Sequence, residues 1–245
     1  MVIIKASTNM SDKNTQSTVL AVSRNSKILA LFAIACTGLV GLVHELTKDQ
    51  IKIQEQRQLL STLNAIIDPA SYDNDIANDC ITVNSALLGS SDIKTAYIAR
   101  KKNNIVALAI TTTAPNGYNG NIELIVGIDI NAAITGVRVL KHQETPGLGD
   151  KIEISKNNWI TSFNGKVLTT ENENRWAVVK DGGMFDQFTG ATITPRAVVQ
   201  SINNTLTYFQ QNKQSLMTQP NTCIINTSSS NLPKDNEISE ITNEQ

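Results

Sequence analysis

Hydrophobic positions along this chain change their spacing from one region to the next. The first apolar run is unbroken. Residues 28–46 read ILALFAIACTGLVGLVHEL, close to the roughly 20 residues a helix needs to cross a bilayer core. Leu46, Ile53, Leu60, Leu63 and Ile67 then recur at helical spacing. They predict a helix that continues from the apolar run, docks on a following domain and stops at Pro69. Next come strand signals. TAYIARK and IVALAITTT flank KNN, and IELIVGIDI and AAITGVRVLK meet at NAA. Between these two hairpins lies APNGYNGN, a turn cluster around Gly117 and Gly120. KNNWITSFNG predicts a short helix with Trp159 and Phe163 inward, and RWAVVKD a further strand whose end, Lys180–Asp181, is solvated. Val198, Ile202, Leu206 and Phe209 mark the buried stripe of a final helix from about Pro195 to Met217. A helix, several antiparallel strands and a closing helix predict an α+β domain with a central antiparallel sheet.

Charge gives the apolar run a direction. Lys5, Lys13, Arg24 and Lys27 precede it against one acid, Asp12, whereas Lys48, Lys52 and Arg57 come after it mixed with Glu45, Asp49 and Glu55. The bias keeps the N-terminus in the cytoplasm and exports the domain on the far side. The predicted organisation is a cytoplasmic segment at 1–26, a transmembrane helix at 27–46, a periplasmic domain at 47–217 and a polar tail at 218–245. That tail is too polar to bury a core and reads as disordered. A cleaved signal peptide is the competing reading, and AIAC faintly resembles a lipoprotein cleavage box. TGLVGLV after Cys36 is too apolar for a mature lipoprotein start, which favours an uncleaved anchor.

Composition removes several classes. A net charge of −1 and an aromatic share of 4% provide neither a basic field nor stacking platforms for nucleic acid. His44 and His142 are the only histidines, which argues against a histidine-built metal site. The cysteines, Cys36, Cys80 and Cys223, form no CxxC pair. Cys80 and Cys223 are open to two readings, a disulfide in an oxidising compartment or two unrelated buried thiols.

Two loops carry candidate chemistry. HQETPGLGDKIE, from His142 to Glu153, comes after a strand and holds Pro146, Gly147 and Gly149. It is either an ordinary turn or a place where bare backbone approaches a ligand. DQFTGATITP, from Asp186 to Pro195, opens the last helix. Thr194 and Pro195 suit a cap and a first helical position. Thr192 then stands where a helix N-terminus favours an anion, with space left by Gly190 and Ala191. The other reading is a plain lead-in, with threonine serving turn geometry.

Three motifs in order carry a family resemblance: GYNG at Gly117–Gly120, H-x-ETPGLGDKI at His142–Ile152, and TGAT preceded by Asp186, within KDGGMFDQFTGATITPRAVV. They resemble the FMN-binding subunits of membrane redox pumps. From about Lys27 to Cys223 the chain is similar to the G-subunit family of Rnf (Rsx) electron transport complexes. The C subunits of sodium-pumping NADH:quinone reductases are more distant relatives. The resemblance implies that the Thr192 oxygen is joined covalently to the phosphate of FMN by a separate flavin transferase that uses FAD and reads Asp186. It implies that Thr189, Gly190 and Ala191 shape the phosphate loop and that Glu144, Thr145, Gly147 and Leu148 line the flavin. His142 either hydrogen-bonds near the site or is a structural loop histidine. The resemblance also implies a Cys80–Cys223 disulfide in an exported domain. It places the chain in the bacterial inner membrane beside other membrane and iron–sulfur subunits. There it would pass electrons between its neighbours, coupled to ion movement, with no substrate turned over by this chain alone. Two other classes compete: a non-redox assembly module, and a hydrolase. For the latter, His142 is the one histidine outside the membrane segment, and no GxSxG elbow is present.

Overall fold

The computed structural model describes residues 9–223, with backbone alone for 9–21, 23 and 24. Expectations for residues 1–8 and 224–245 lie outside the described residues. The chain divides into two compact units, one up to Gln56 and one from Arg57. In the first, a single helix α1, Asn9–Ile66, runs without a break and crosses into the second unit. Its apolar stretch reaches a mean hydropathy of 2.1, long and apolar enough to cross a membrane. Leu29, Phe32, Ile34 and Val40 along it are exposed.

The second unit is built on one antiparallel sheet. Five strands run in sequence order: β1 Cys80–Ser85, β2 Ser90–Lys101, β3 Asn104–Gly117, β4 Gly120–Asp129 and β5 Ile134–Lys141. The two predicted hairpins are present and lengthen at both ends. KNN closes as a two-residue turn, with Lys102 and Asn103 at positive φ between the paired Lys101 and Asn104. GYNG is a second tight hairpin, with Gly117 paired to Gly120. At NAA the Asp129 carboxylate accepts from the amides of Asn131 and Ala133, both at 2.8 Å. β1 was not foreseen, although Ile81 and Val83 alternate inward along it.

A helix covers each face of the sheet. Helix α2, Ile193–Thr218, packs on β3 through Val198, Ile202, Leu206 and Phe209, all within 1% of full burial. Beneath it Ile98, Leu108, Ile110, Leu124 and Val126 form the main core, each worth about 1.5–3 kcal/mol for leaving water. The last turns of α1 pack on the opposite face, where Leu63, Ile66 and Ile67 meet Ala99, Ala107, Ala109 and Ile125. The small alanines let helix and sheet approach. Of the foreseen stripe, Leu63 and Ile67 are buried, whereas Leu46, Ile53 and Leu60 stay exposed. Asp68 caps the short 3-10 turn that begins at Pro69, by accepting from the Ala70 amide.

Three expectations change. RWAVVKD is not a strand. It folds as two 3-10 turns, Glu173–Arg175 and Val179–Asp181, with only a single bridge from Val178 to Phe185. Its apolar residues serve an aromatic cluster instead: Trp176 and Phe185 lie 5.2 Å apart, and Phe185 stacks on Phe163 at 4.4 Å. Asp181 is accordingly no solvated strand end. Arg196 of α2 holds it with two hydrogen bonds of 2.6 and 2.8 Å, which pull its carboxyl below the usual range. Finally, residues 218–223 do not begin a loose tail. Asn221 donates to Asn78 and accepts from Cys223, and Thr222 donates to the Cys80 carbonyl. Cys80 and Cys223 are joined as a disulfide there, with Cα atoms 5.5 Å apart.

Candidate functional site

Both chemistry-bearing loops and the GYNG hairpin converge at the N-terminus of α2. Tyr118, Glu144, Thr145, Leu148, Gly149 and residues 190–194 line a cavity of about 230 Å³ there. Sequence distance hides this meeting, because the contributing residues span more than seventy positions.

The TGAT segment is a tight turn leading into a helix mouth. The Ala191 amide donates to the Phe188 carbonyl at 3.1 Å, closing a four-residue turn. Gly190 occupies its third position at φ +83, the left-handed geometry that a type II turn reserves for glycine. Phe188 is buried edge-on against Trp159 at 5.2 Å, and the Trp159 indole N–H donates to the Asp186 carbonyl at 2.7 Å. The short helix foreseen around Trp159, 3-10 turn Asn158–Phe163, thus anchors the turn from below. It fixes the Asp186 backbone while the Asp186 side chain stays exposed.

Thr192, not Thr194, is the cap residue of α2, and its side chain makes no capping hydrogen bond. The sequence assigned the cap to Thr194 because Pro195 suits a first helical turn. Helix geometry begins two residues earlier, at Ile193. The amides of Ile193 and Thr194 therefore have no intrahelical acceptor and point out of the helix mouth. Thr192 is only partly buried, so its free hydroxyl stands at the positive end of a 26-residue helix.

Thr194 has a different task. Fully buried, it donates its hydroxyl to Oε2 of Glu144, and Oε1 of Glu144 accepts the Asn119 amide at 3.2 Å. One buried carboxylate thereby ties together GYNG, the ETPGLG loop and α2. The glycines beside it are required by space. A Cβ on Gly149 would lie 2.8 Å from Glu144 Oε2 and Thr194 Oγ1. Sequence reasoning missed this clamp, since neither a lone Glu nor a Thr before Pro signals a partner fifty residues away. Replacing Glu144 with Ala should cost about 2–3 kcal/mol, because the buried Thr194 hydroxyl loses its acceptor. Urea denaturation measures the loss, and an unchanged midpoint would contradict the clamp.

The remaining foreseen residues take varied places around the cavity. Thr145 lines it, and the Thr145 carbonyl accepts from the amides of Leu148 and Gly149 at 3.1 Å. Leu148 also lines it, with its side chain exposed. Gly147, at φ +77, shapes the same turn from outside the cavity wall, and Thr189 is exposed on the opposite turn. His142 stands behind Glu144: its Nδ1 accepts the Glu144 amide at 3.0 Å and its Nε2 faces Glu153 Oε1 at 2.6 Å. The hydrogen bond from His142 is the leading reason that the Glu153 carboxyl lies below its ordinary range. Tyr118 and Ile193, not singled out beforehand, add two large exposed apolar side chains to the cavity rim. Among the described residues, no group of His, Cys, Asp and Glu is arranged to hold a metal ion.

Comparison with known proteins agrees with this architecture. An FMN-binding domain model matches residues 117–207, and a model of the RnfG N-terminal region matches residues 10–66. The G subunit of the ion-translocating oxidoreductase complex of Vibrio atlanticus is 53% identical over 203 residues, covering 83% of this chain and 97% of its own length. The G subunits of the same complex from Vibrio cholerae and Shewanella oneidensis are 52% and 49% identical over similar spans. The chain belongs to the G-subunit family of ion-translocating oxidoreductase complexes. The matched FMN-binding domain contains the GYNG hairpin, the ETPGLG loop and the mouth of α2. In this member of the G-subunit family the cavity lies inside that domain, and the matched N-terminal region ends with helix α1 at residue 66.

Proposed function

We propose that this chain carries FMN esterified through its phosphate to the Thr192 hydroxyl, and passes electrons between neighbouring subunits of a membrane complex. The observation that carries the proposal is Thr192 itself: a cap residue whose hydroxyl caps nothing, on the wall of a cavity, at the positive end of a long helix.

The residues present fit the group. The Ile193 and Thr194 amides offer donors to a phosphate. Leu148, Tyr118 and Ile193 offer apolar surface to a ring. No lysine or arginine lines the cavity, and Arg196 is engaged with Asp181. Glu144 adds a buried carboxylate nearby. A free nucleotide dianion would gain little here, whereas a tethered diester carries less charge and cannot diffuse away. At about 230 Å³ the cavity is also smaller than the roughly 300–1,000 Å³ of pockets that enclose a ligand. An occupant of flavin size stays open on one side, which suits electron exchange with a partner.

Bound FMN supplies the electron-accepting and electron-donating chemistry, and the chain supplies tether, orientation and surroundings. The clamp of Glu144, Thr194 and Asn119 holds the three loops in register. The apolar helix of α1 supports anchoring in a bacterial inner membrane, and the Cys80–Cys223 disulfide supports a periplasmic, oxidising location for the domain. The shared names of the relatives support membrane and iron–sulfur subunits as partners, and attachment requires a flavin transferase.

The test is flavin that survives denaturation. Protein isolated from cells containing the transferase should be yellow, and its intact mass should exceed the chain by one FMN less one water. A colourless chain within an assembled complex would leave the non-redox assembly role instead. The exposed Asp186 side chain, on a backbone pinned by Trp159, is suited to being read by the transferase. Asp186→Ala should therefore lose most of its flavin while its circular dichroism stays that of the wild type. Full incorporation would remove that role.

A further inference from the structure

We propose that His142 is a positioning residue for the flavin loop: its unprotonated Nδ1 holds the Glu144 backbone, and a proton on that nitrogen releases it. The imidazole stands between two cavities. One side faces a cavity of about 460 Å³ lined by Arg138, Lys141, Glu153 and Ser155 among others. The other side holds Glu144, on the wall of the Thr192 cavity.

The chemistry of the partners assigns both ring nitrogens. A backbone N–H only donates, so Nδ1, at 3.0 Å from the Glu144 nitrogen, is the acceptor and carries no proton. The neutral ring then carries its proton on Nε2 and donates it to Glu153 at 2.6 Å. Protonation of Nδ1 sets two donors face to face, and the Glu144 amide must leave. The Nε2–Glu153 bond survives and gains charge.

The charges around the ring are mixed. Glu153 favours the imidazolium, with Lys156 near that carboxylate, and Arg138 and Lys141 of β5 oppose it across the cavity. On the near side the Glu144 carboxylate is occupied by Thr194 and Asn119. The released amide belongs to the residue whose side chain clamps the three loops, so one proton on the far cavity's side loosens the geometry at the helix mouth. The connection to a flavin rests on the proposed function, whereas the hydrogen-bond lever does not.

The lever can be read without flavin, on full-length chain from cells lacking the transferase. Exchange of the Glu144 amide, corrected for its intrinsic pH dependence, should lose about tenfold in protection between about pH 8 and about pH 5, where imidazoles titrate. Two variants separate the ring nitrogens. The side-chain oxygen of His142→Asn replaces Nδ1, so protection should persist and become independent of pH. The amide nitrogen of His142→Gln replaces Nε2, so the Glu153 contact should persist while protection is lost at both pH values. Wild-type protection that ignores pH, or Asn and Gln variants that behave alike, would overturn the proposal. In flavin-loaded protein the visible circular dichroism should track the same transition. A spectrum indifferent to it would sever the lever from the flavin, and absence of flavin altogether would defeat the proposed function while leaving the amide result standing.

Discussion

Thr192→Ala, purified from cells that contain the flavin transferase, should carry no flavin at all. The effect is all-or-none because the substitution removes the one atom that forms the ester. Nothing else need change. The Thr192 hydroxyl makes no capping bond, and α2 begins at Ile193 with the helix held by its buried stripe. Helix content and urea midpoint should therefore match the wild type to within the few tenths of a kcal/mol that a partly exposed site commands. Thr192→Ser keeps an acceptor hydroxyl and should retain flavin. Thr189→Ala, one turn residue away on the exposed side, should retain it as well. Intact mass measurement separates the cases. An alanine variant at 192 that still carries the added mass would move the attachment to another residue and end the present assignment.

Loss of the Cys80–Cys223 disulfide should be the costliest change to stability. The bridge spans 143 residues, so it closes nearly the whole folded unit into a loop. In the chain-entropy account, opening such a loop frees the unfolded chain by about 5 kcal/mol. That is a large share of the roughly 5–15 kcal/mol that holds a domain folded. The folded state itself has little reason to rearrange. The hydrogen bonds of Asn221 and Thr222 to the Asn78–Cys80 segment still bring the end of the chain to β1. The double variant Cys80→Ser, Cys223→Ser should thus fold but denature at a much lower urea concentration, and a reductant should shift the wild type to the same midpoint. Equal midpoints with and without reductant would show that the bridge does not contribute. The same experiment bears on location, since a domain that depends on this bond needs an oxidising compartment.

Much of this could be read before any coordinates. An unbroken apolar run determines a long apolar helix, because only length and hydrophobicity are required. Alternation and turn residues determine the two central hairpins, because KNN, GYNG and NAA close short loops whose geometry is local. The stripe of Val198, Ile202, Leu206 and Phe209 likewise needs only a period. The resemblance in three motifs pointed to Thr192 and to FMN. Other features depend on partners distant in the chain. RWAVVKD has a strand's composition, yet with no strand edge available its apolar side chains fill an aromatic cluster with Phe163 and Phe185. Thr194 looks like a cap beside Pro195, but a buried carboxylate fifty residues earlier takes its hydroxyl and leaves the cap position to Thr192. His142 and Glu144 lie two residues apart in a loop that sequence could describe only as glycine-rich. Their roles come from the distances at which the fold sets Glu153, Asn119 and Thr194 around them. Local pattern determines which elements form, because it depends on propensity and period. Tertiary structure decides which polar atoms are left free for chemistry, because a hydrogen-bond partner is chosen by proximity in space.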